Sequence, residues 1–223
     1  EYGNTFGFKP RFIIKNDKLK YIPNYVNSKE KILNFKKYLK LIRKYDYFYQ
    51  AKFKKEIIKF PYFISIFRNP FRNIPLISSI IWHYWFKKDY EKKSTGGYTP
   101  STGIIMDINL KQRYKLFRKD KGAVRLLEMI LEEFKNYGKK QGFKPVFVFM
   151  PQKDDILCIK KKGKFYEKFI SRVSNKILTI DLTSDLLARR DLDRIYSDGN
   201  EYGGHYSKYG NKLAADLIYQ KIK

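Results

Sequence analysis

Hydrophobic positions follow different rhythms in the two parts of the chain. Up to about Ser101 the sequence is aromatic, basic and weakly periodic, whereas from about Met106 to Lys223 helix-like and strand-like segments alternate. In the first part, apolar runs at 12–14 and 19–22 flank Asn16-Asp17, a pair that favours a turn, so a short hairpin ended by Pro23 is expected. Ser28 then opens a helix on which Ile32, Phe35, Leu39 and Ile42 recur at helical spacing. A second basic helix is expected near 51–60, stopping at Pro61. The most apolar stretch, IPLISSIIWHYWF at 74–86, has 13 residues. A bilayer span needs ~20, so a helix packed on the domain is expected, with a membrane-surface helix as the alternative. His83 within it reads as structural. STGGYTPSTG at 94–103 reads as a loop by composition. Its Ser101 lacks the first glycine and the preceding strand of a nucleophile elbow.

The second part is more regular. Residues 123–137 form an amphipathic helix, with Val124, Leu127, Ile130, Leu131 and Phe134 on one face and Gly138 as the stop. The apolar run at 145–150 reads as a buried parallel strand, followed by a loop at 151–155. A helix at 165–173, a strand at 177–180 ending at Asp181, and a helix capped by Thr183 or Ser184 follow. A loop then leads to His205, and Ser207 caps a last helix bearing Leu213, Leu217 and Ile218. This βαβ rhythm predicts an α/β fold, a parallel sheet covered on both faces. Ligand sites in such sheets lie beyond the carboxyl ends of the strands, where Asp154, Asp155, Asp181 and the His205 loop are expected to meet. The compositional change divides the chain into a basic, aromatic-rich insertion or subdomain, 1–101, and an α/β portion, 102–223.

Charge alters this picture only in part. The 48 Lys+Arg against 22 Asp+Glu leave a formal net charge of +26, which attracts polyanions and anionic lipid. The basic residues are mostly lysines scattered through the chain. No zinc-finger spacing, RNP-type aromatic motif or basic zipper accompanies them, so nucleic acid is not the expected partner. A single cysteine, Cys158, excludes an internal disulfide and a multi-cysteine zinc site.

Chemistry concentrates in YSDGNEYGGHYSKYGNKLAA, which begins at Tyr196. Here a histidine stands after two glycines, just before a helix, with acids upstream. Gly203 and Gly204 permit a sharp turn that leaves the ring reachable. Neutral imidazole can take a proton from a hydroxyl nucleophile and return it to a leaving group. On composition alone a histidine that only caps the helix accounts for the pattern equally well.

The block GGHYSKYGNKLAADLIYQKI resembles the final block of SGNH (GDSL-type) hydrolases. VFVFMPQKDD resembles the strand and Pro-containing loop before it, and KPRFIIKNDKLKYIPNYV a segment found in a bacterial subgroup of that family. The resemblance implies a three-layer α/β/α, flavodoxin-like parallel sheet, incomplete at its N-terminus and carrying a helical basic insertion. It implies a serine-type ester hydrolase or O-acyl transferase with His205 as general base, acting on a carbohydrate or lipid ester without metal or organic cofactor. The family's aspartate three residues before the histidine is Tyr202 here, which leaves Glu201 or Asp198 to orient the ring. No Gly-Asp-Ser occurs in the sequence, so the nucleophile is expected upstream. These residues alone are then expected to lack ester turnover and to expose apolar sheet surface. The rival reading is a non-catalytic basic α/β domain that binds an anionic membrane surface or a nucleic acid.

Overall fold

Strands β1 (Arg11–Lys15) and β2 (Lys18–Ile22) pair antiparallel, Phe12 opposite Tyr21 and Lys15 opposite Lys18. Asn16 and Asp17 both take positive φ, 51° and 57°, as a two-residue turn matched to strand twist requires, and short polar side chains tolerate that conformation best. These details come from a computed structural model describing residues 10–46, 49, 60–93, 99–197 and 202–223. The chain forms two compact units, Glu1–Ile81 and Trp82–Lys223. The compositional change near Ser101 therefore falls within the second unit, inside a helix.

In the first unit the Ser28 hydroxyl accepts the Lys31 N–H and starts α1 (Lys29–Leu33), as expected. The single helix foreseen beyond it is broken. A 3₁₀ turn (Phe35–Tyr38) precedes α2 (Leu39–Tyr45), and the break sits at Asn34, whose side-chain amide donates to the Glu30 carbonyl. An asparagine competing for backbone partners in this way disfavours a continuous helix. Two further helices, α3 (Tyr62–Phe67) and α4 (Pro70–Ile80), are joined by the Asn73 amide donating to Ile66 O at 3.1 Å. The basic helix expected near 51–60 lies outside the described residues apart from Phe60. No residue of α4, or of the π-helical stretch Ile81–Phe86 after it, is buried. Among the described residues no helix is long and apolar enough to cross a membrane. His83 is structural, its Nδ1 2.7 Å from Asp89 Oδ1.

The second unit continues with α5 (Pro100–Lys119), α6 (Lys121–Gln141), β3 (Val146–Phe149), α7 (Lys153–Lys162), α8 (Glu167–Ser174) and β4 (Leu178–Asp181). It ends with α9 (Thr183–Leu187), α10 (Leu192–Ile195) and α11 (Lys208–Ile222). Pro100–Gly103, expected as loop, are the first turn of α5, because Thr99 caps it by accepting the Thr102 N–H. Ser101 lies in that turn with its Oγ 3.2 Å from the Tyr90 hydroxyl. Gly138 does not end α6. A Cβ there would lie 2.7 Å from Pro145 Cδ and 2.8 Å from Phe143 O, so this glycine makes room for the chain returning into β3. The stop is Gly142, left-handed at φ 73°, with open space around it. Gly142→Ala is therefore expected to cost about 1 kcal/mol through backbone conformation alone. A lowered thermal midpoint, largely restored by Gly142→Asn, would check this.

β3 and β4 pair in parallel, Val146 opposite Leu178 and Phe149 opposite Asp181. Alternate side chains leave on opposite faces. Val146 and Val148 join a cluster of Ile156, Ile180, Leu182, Ile195 and Ala214, against which Leu213, Leu217 and Ile218 of α11 pack. Phe147 packs with Val124, Leu131, Phe169 and Val173, and Phe149 with Phe165 and Tyr166. The fold is thus mixed α/β and mostly helical, and each of its two sheets among the described residues is two strands wide. Two parallel strands among the described residues do not by themselves make the three-layer parallel sheet that was expected. Thr183 and Ser184 do not cap α9 with their side chains; Asp181 does part of that work by accepting the Thr183 N–H at 2.9 Å.

Candidate functional site

The carboxyl ends of β3 and β4 carry the groups that the parallel strands were expected to bring together. After Phe149 the chain makes one short connection before α7. There Gln152 and Asp155 form a reciprocal capping box, with Asp155 Oδ2 accepting the Gln152 N–H at 3.0 Å. Residues 153–155 are consequently the first turn of α7 rather than loop. The turn is buried, and an arginine from α5 closes it: Arg113 donates through Nη2 to Asp154 Oδ2 at 2.5 Å and through Nε to Asp155 Oδ1 at 3.0 Å. Asp154 Oδ1 is buried without a hydrogen-bond partner among the described residues. Burial pushes its carboxyl above the ordinary value, against the opposing pull of Arg113. Lys153, also buried, reaches Asp193 at 2.7 Å and holds that carboxyl below its ordinary value.

At the end of β4, Asp181 receives Lys164 Nζ at 3.2 Å and the Thr183 hydroxyl, which also meets the buried Tyr166 hydroxyl. All three carboxylates that the sequence placed at this edge are therefore there, but each is held in structural contacts. Arg113 and Lys153 were missed, since no local pattern pairs a residue on α5 with a helix start some forty positions later.

The His205 loop docks on this edge. The Lys153 N–H donates to Gly203 O at 2.9 Å. The hydroxyls of Tyr196 and Tyr206 both donate to Pro151 O, at 2.7 and 2.9 Å, and burial pushes both phenols up, keeping them donors. Tyr196 and Tyr206 also face one another across an antiparallel bridge. Beside that bridge the His205 carbonyl accepts from the Ser197 N–H at 2.8 Å and the Ser197 hydroxyl at 3.0 Å. Each glycine before the histidine has its own cause. Gly203 has φ 116°, outside the range of side-chain-bearing residues, and a Cβ on Gly204 would lie 2.8 Å from Gln152. The His205 backbone is thus fixed while its side chain lies at the surface. Ser207 caps α11 as expected, accepting the Gly210 N–H at 3.0 Å. Asp198 and Glu201, the two candidates to orient the ring, lie outside the described residues; Tyr202 is half-buried.

Among the described residues no three His, Cys, Asp or Glu side chains group in a way that could hold a metal ion. Comparison with known family models, curated proteins and solved structures finds no match to the chain.

Proposed function

We propose that the second unit is the C-terminal portion of an SGNH-type ester hydrolase or O-acyl transferase, with His205 as its general base. The observation that carries this reading is the docking of a surface histidine, by fixed backbone contacts, on the loop at the carboxyl end of a parallel strand. Open parallel sheets hold their ligands at that edge. On this reading β3 and β4 are the last strands of a wider parallel sheet with helices on both faces. The serine nucleophile is supplied from outside the 223 residues, in the Gly-Asp-Ser block that such domains carry. The neutral imidazole accepts the serine proton as the hydroxyl attacks the ester carbonyl, then returns it to the leaving alkoxide. Water or a sugar hydroxyl next accepts the acyl group, again deprotonated by His205. Glu201 or Asp198 stabilises the imidazolium from the same loop. The substrate is a carbohydrate or lipid ester, and the net positive charge of the chain favours an anionic one.

The test uses the full-length protein and an activated aryl acetate. His205→Ala is expected to lower kcat about a hundredfold or more with little change in KM, since a positioned base contributes about that much. Turnover by the variant at the parent rate would end this reading. Glu201→Gln and Asp198→Asn, measured in parallel, identify the orienting acid as the one whose loss approaches that of His205→Ala.

A further inference from the structure

The first unit presents apolar side chains that nothing in the ester-hydrolysis reading uses. On α3, Phe63 and Phe67 stand four residues apart and are 65% and 67% exposed; on α4, Phe71 and Ile74 are 89% and 47% exposed. Four residues on, Ser78 continues the exposed stripe of α4, while Leu76 and Ile77 are half-buried. Large aromatic side chains this exposed exceed the scattered single residues that are ordinary on a protein surface. Cations accompany them. Residues 60–88 contain Arg68, Arg72, Lys87 and Lys88 and no Asp or Glu, within a chain of net charge +26. The segment opening the second unit repeats this chemistry, with Trp82 and Trp85 exposed and Lys87 and Lys88 just after them.

We propose that the first unit docks on an anionic lipid bilayer through the exposed stripes of α3 and α4, lying in the interface without crossing it. Length sets the mode. α4 has 11 residues, and no helix among the described residues is long and apolar enough to cross the hydrocarbon core, so docking along the surface is the mode that fits. Charge selects the partner. Phenylalanine and isoleucine enter the acyl boundary, tryptophan favours the headgroup level, and arginine and lysine reach lipid phosphates. A nucleic acid would meet the same cations but has no use for an aliphatic and phenylalanine stripe, and an acid-free segment lacks the mixed charges that give protein contacts their register. The proposal is independent of His205.

The experiment is co-sedimentation of the full-length protein with vesicles of phosphatidylcholine alone or with roughly 30% phosphatidylglycerol, a charge density typical of anionic membranes. Trp82 and Trp85 are the only tryptophans of these 223 residues, so the part of the emission lost in a Trp82→Phe/Trp85→Phe variant reports on the neighbouring segment. Binding to the anionic vesicles only, with a blue shift of emission, is expected. The variant Phe63→Ser/Phe67→Ser/Phe71→Ser changes exposed positions and is expected to keep its thermal midpoint while losing at least about tenfold in vesicle affinity. Arg68→Gln/Arg72→Gln, a second variant that leaves the apolar stripe intact, is expected to weaken binding at low salt and to matter less at high salt. Failure to sediment with anionic vesicles would overturn the proposal. So would a serine variant that binds like the parent, or binding to a single-stranded oligonucleotide that exceeds vesicle binding and ignores the serine changes.

Discussion

Gly210→Ala is expected to lower the thermal midpoint by roughly 10 °C, the opposite of what alanine does in an unobstructed helix. Alanine for glycine ordinarily stabilises a helix interior by about 1 kcal/mol. Here an added Cβ would overlap the Ile195 carbonyl oxygen and lie 3.1 Å from Ile195 Cγ2. Neither atom can swing aside. The oxygen belongs to the backbone and already accepts the Ser207 N–H at 2.8 Å, and Ile195 is fully buried in the cluster that α11 covers. The overlap is relieved only if α11 moves off α10, which opens that cluster and carries the His205 loop with it. Overpacking of this kind costs about 1–3 kcal/mol and occasionally more. Because the obstacle is backbone, a loss of about 3 kcal/mol is expected after the propensity gain, and for a chain of this size each kcal/mol is worth ~2–4 °C. A midpoint that stays level or rises would show that α10 and α11 are not in contact through this glycine.

The second large effect is expected at Arg113. Replacing it with methionine keeps most of the aliphatic stem and removes the charge that faces Asp154 and Asp155. Breaking a buried ion pair from one side costs about 3–5 kcal/mol, because the remaining charge is stranded. The Arg113 side chain is 29% exposed, which places the expectation near the lower end. The pH dependence has a definite sign. Asp154 titrates above its ordinary value of 3.8 in the folded protein because it is buried. The folded state therefore holds this proton more tightly than the unfolded chain, and stability falls as pH rises from about 4 through the folded value. Without Arg113 the carboxyl moves further up, so the variant's deficit is largest at neutral pH and shrinks on acidification. Urea denaturation at pH 7 and pH 4.5 would show this, and a deficit independent of pH would contradict it. Adding Asp154→Asn to Arg113→Met should recover part of the loss at neutral pH.

These two sites mark where sequence patterns stop being informative. The β1–β2 hairpin was legible because everything that shapes it lies within a dozen residues: two apolar runs and a turn pair that accepts positive φ. β3, β4 and the Ser207 cap of α11 were legible for the same local reasons. The meeting of the His205 loop with the end of β3 also followed, from the general rule placing loops at the carboxyl edge of parallel strands. Partnerships between distant segments did not. Asp154 and Asp155 look like chemistry in a loop until Arg113 is seen to hold them at a helix start. Gly138 looks like a helix stop until Pro145 is seen to press against it. The break at Asn34 was missed because apolar spacing registers the buried face and says nothing of a side chain competing for backbone partners.

The bridge between Tyr196 and Tyr206 has an evolutionary consequence. Ser197 and His205 are joined at the neck of a loop, and the clamp on Pro151 holds that neck from outside. Lengthening a loop above a fixed neck is inexpensive, about 0.6 kcal/mol for each doubling, so insertions between Ser197 and Gly203 leave the histidine where it is. Selection can then vary the residues that precede Gly203 without moving the His205 backbone.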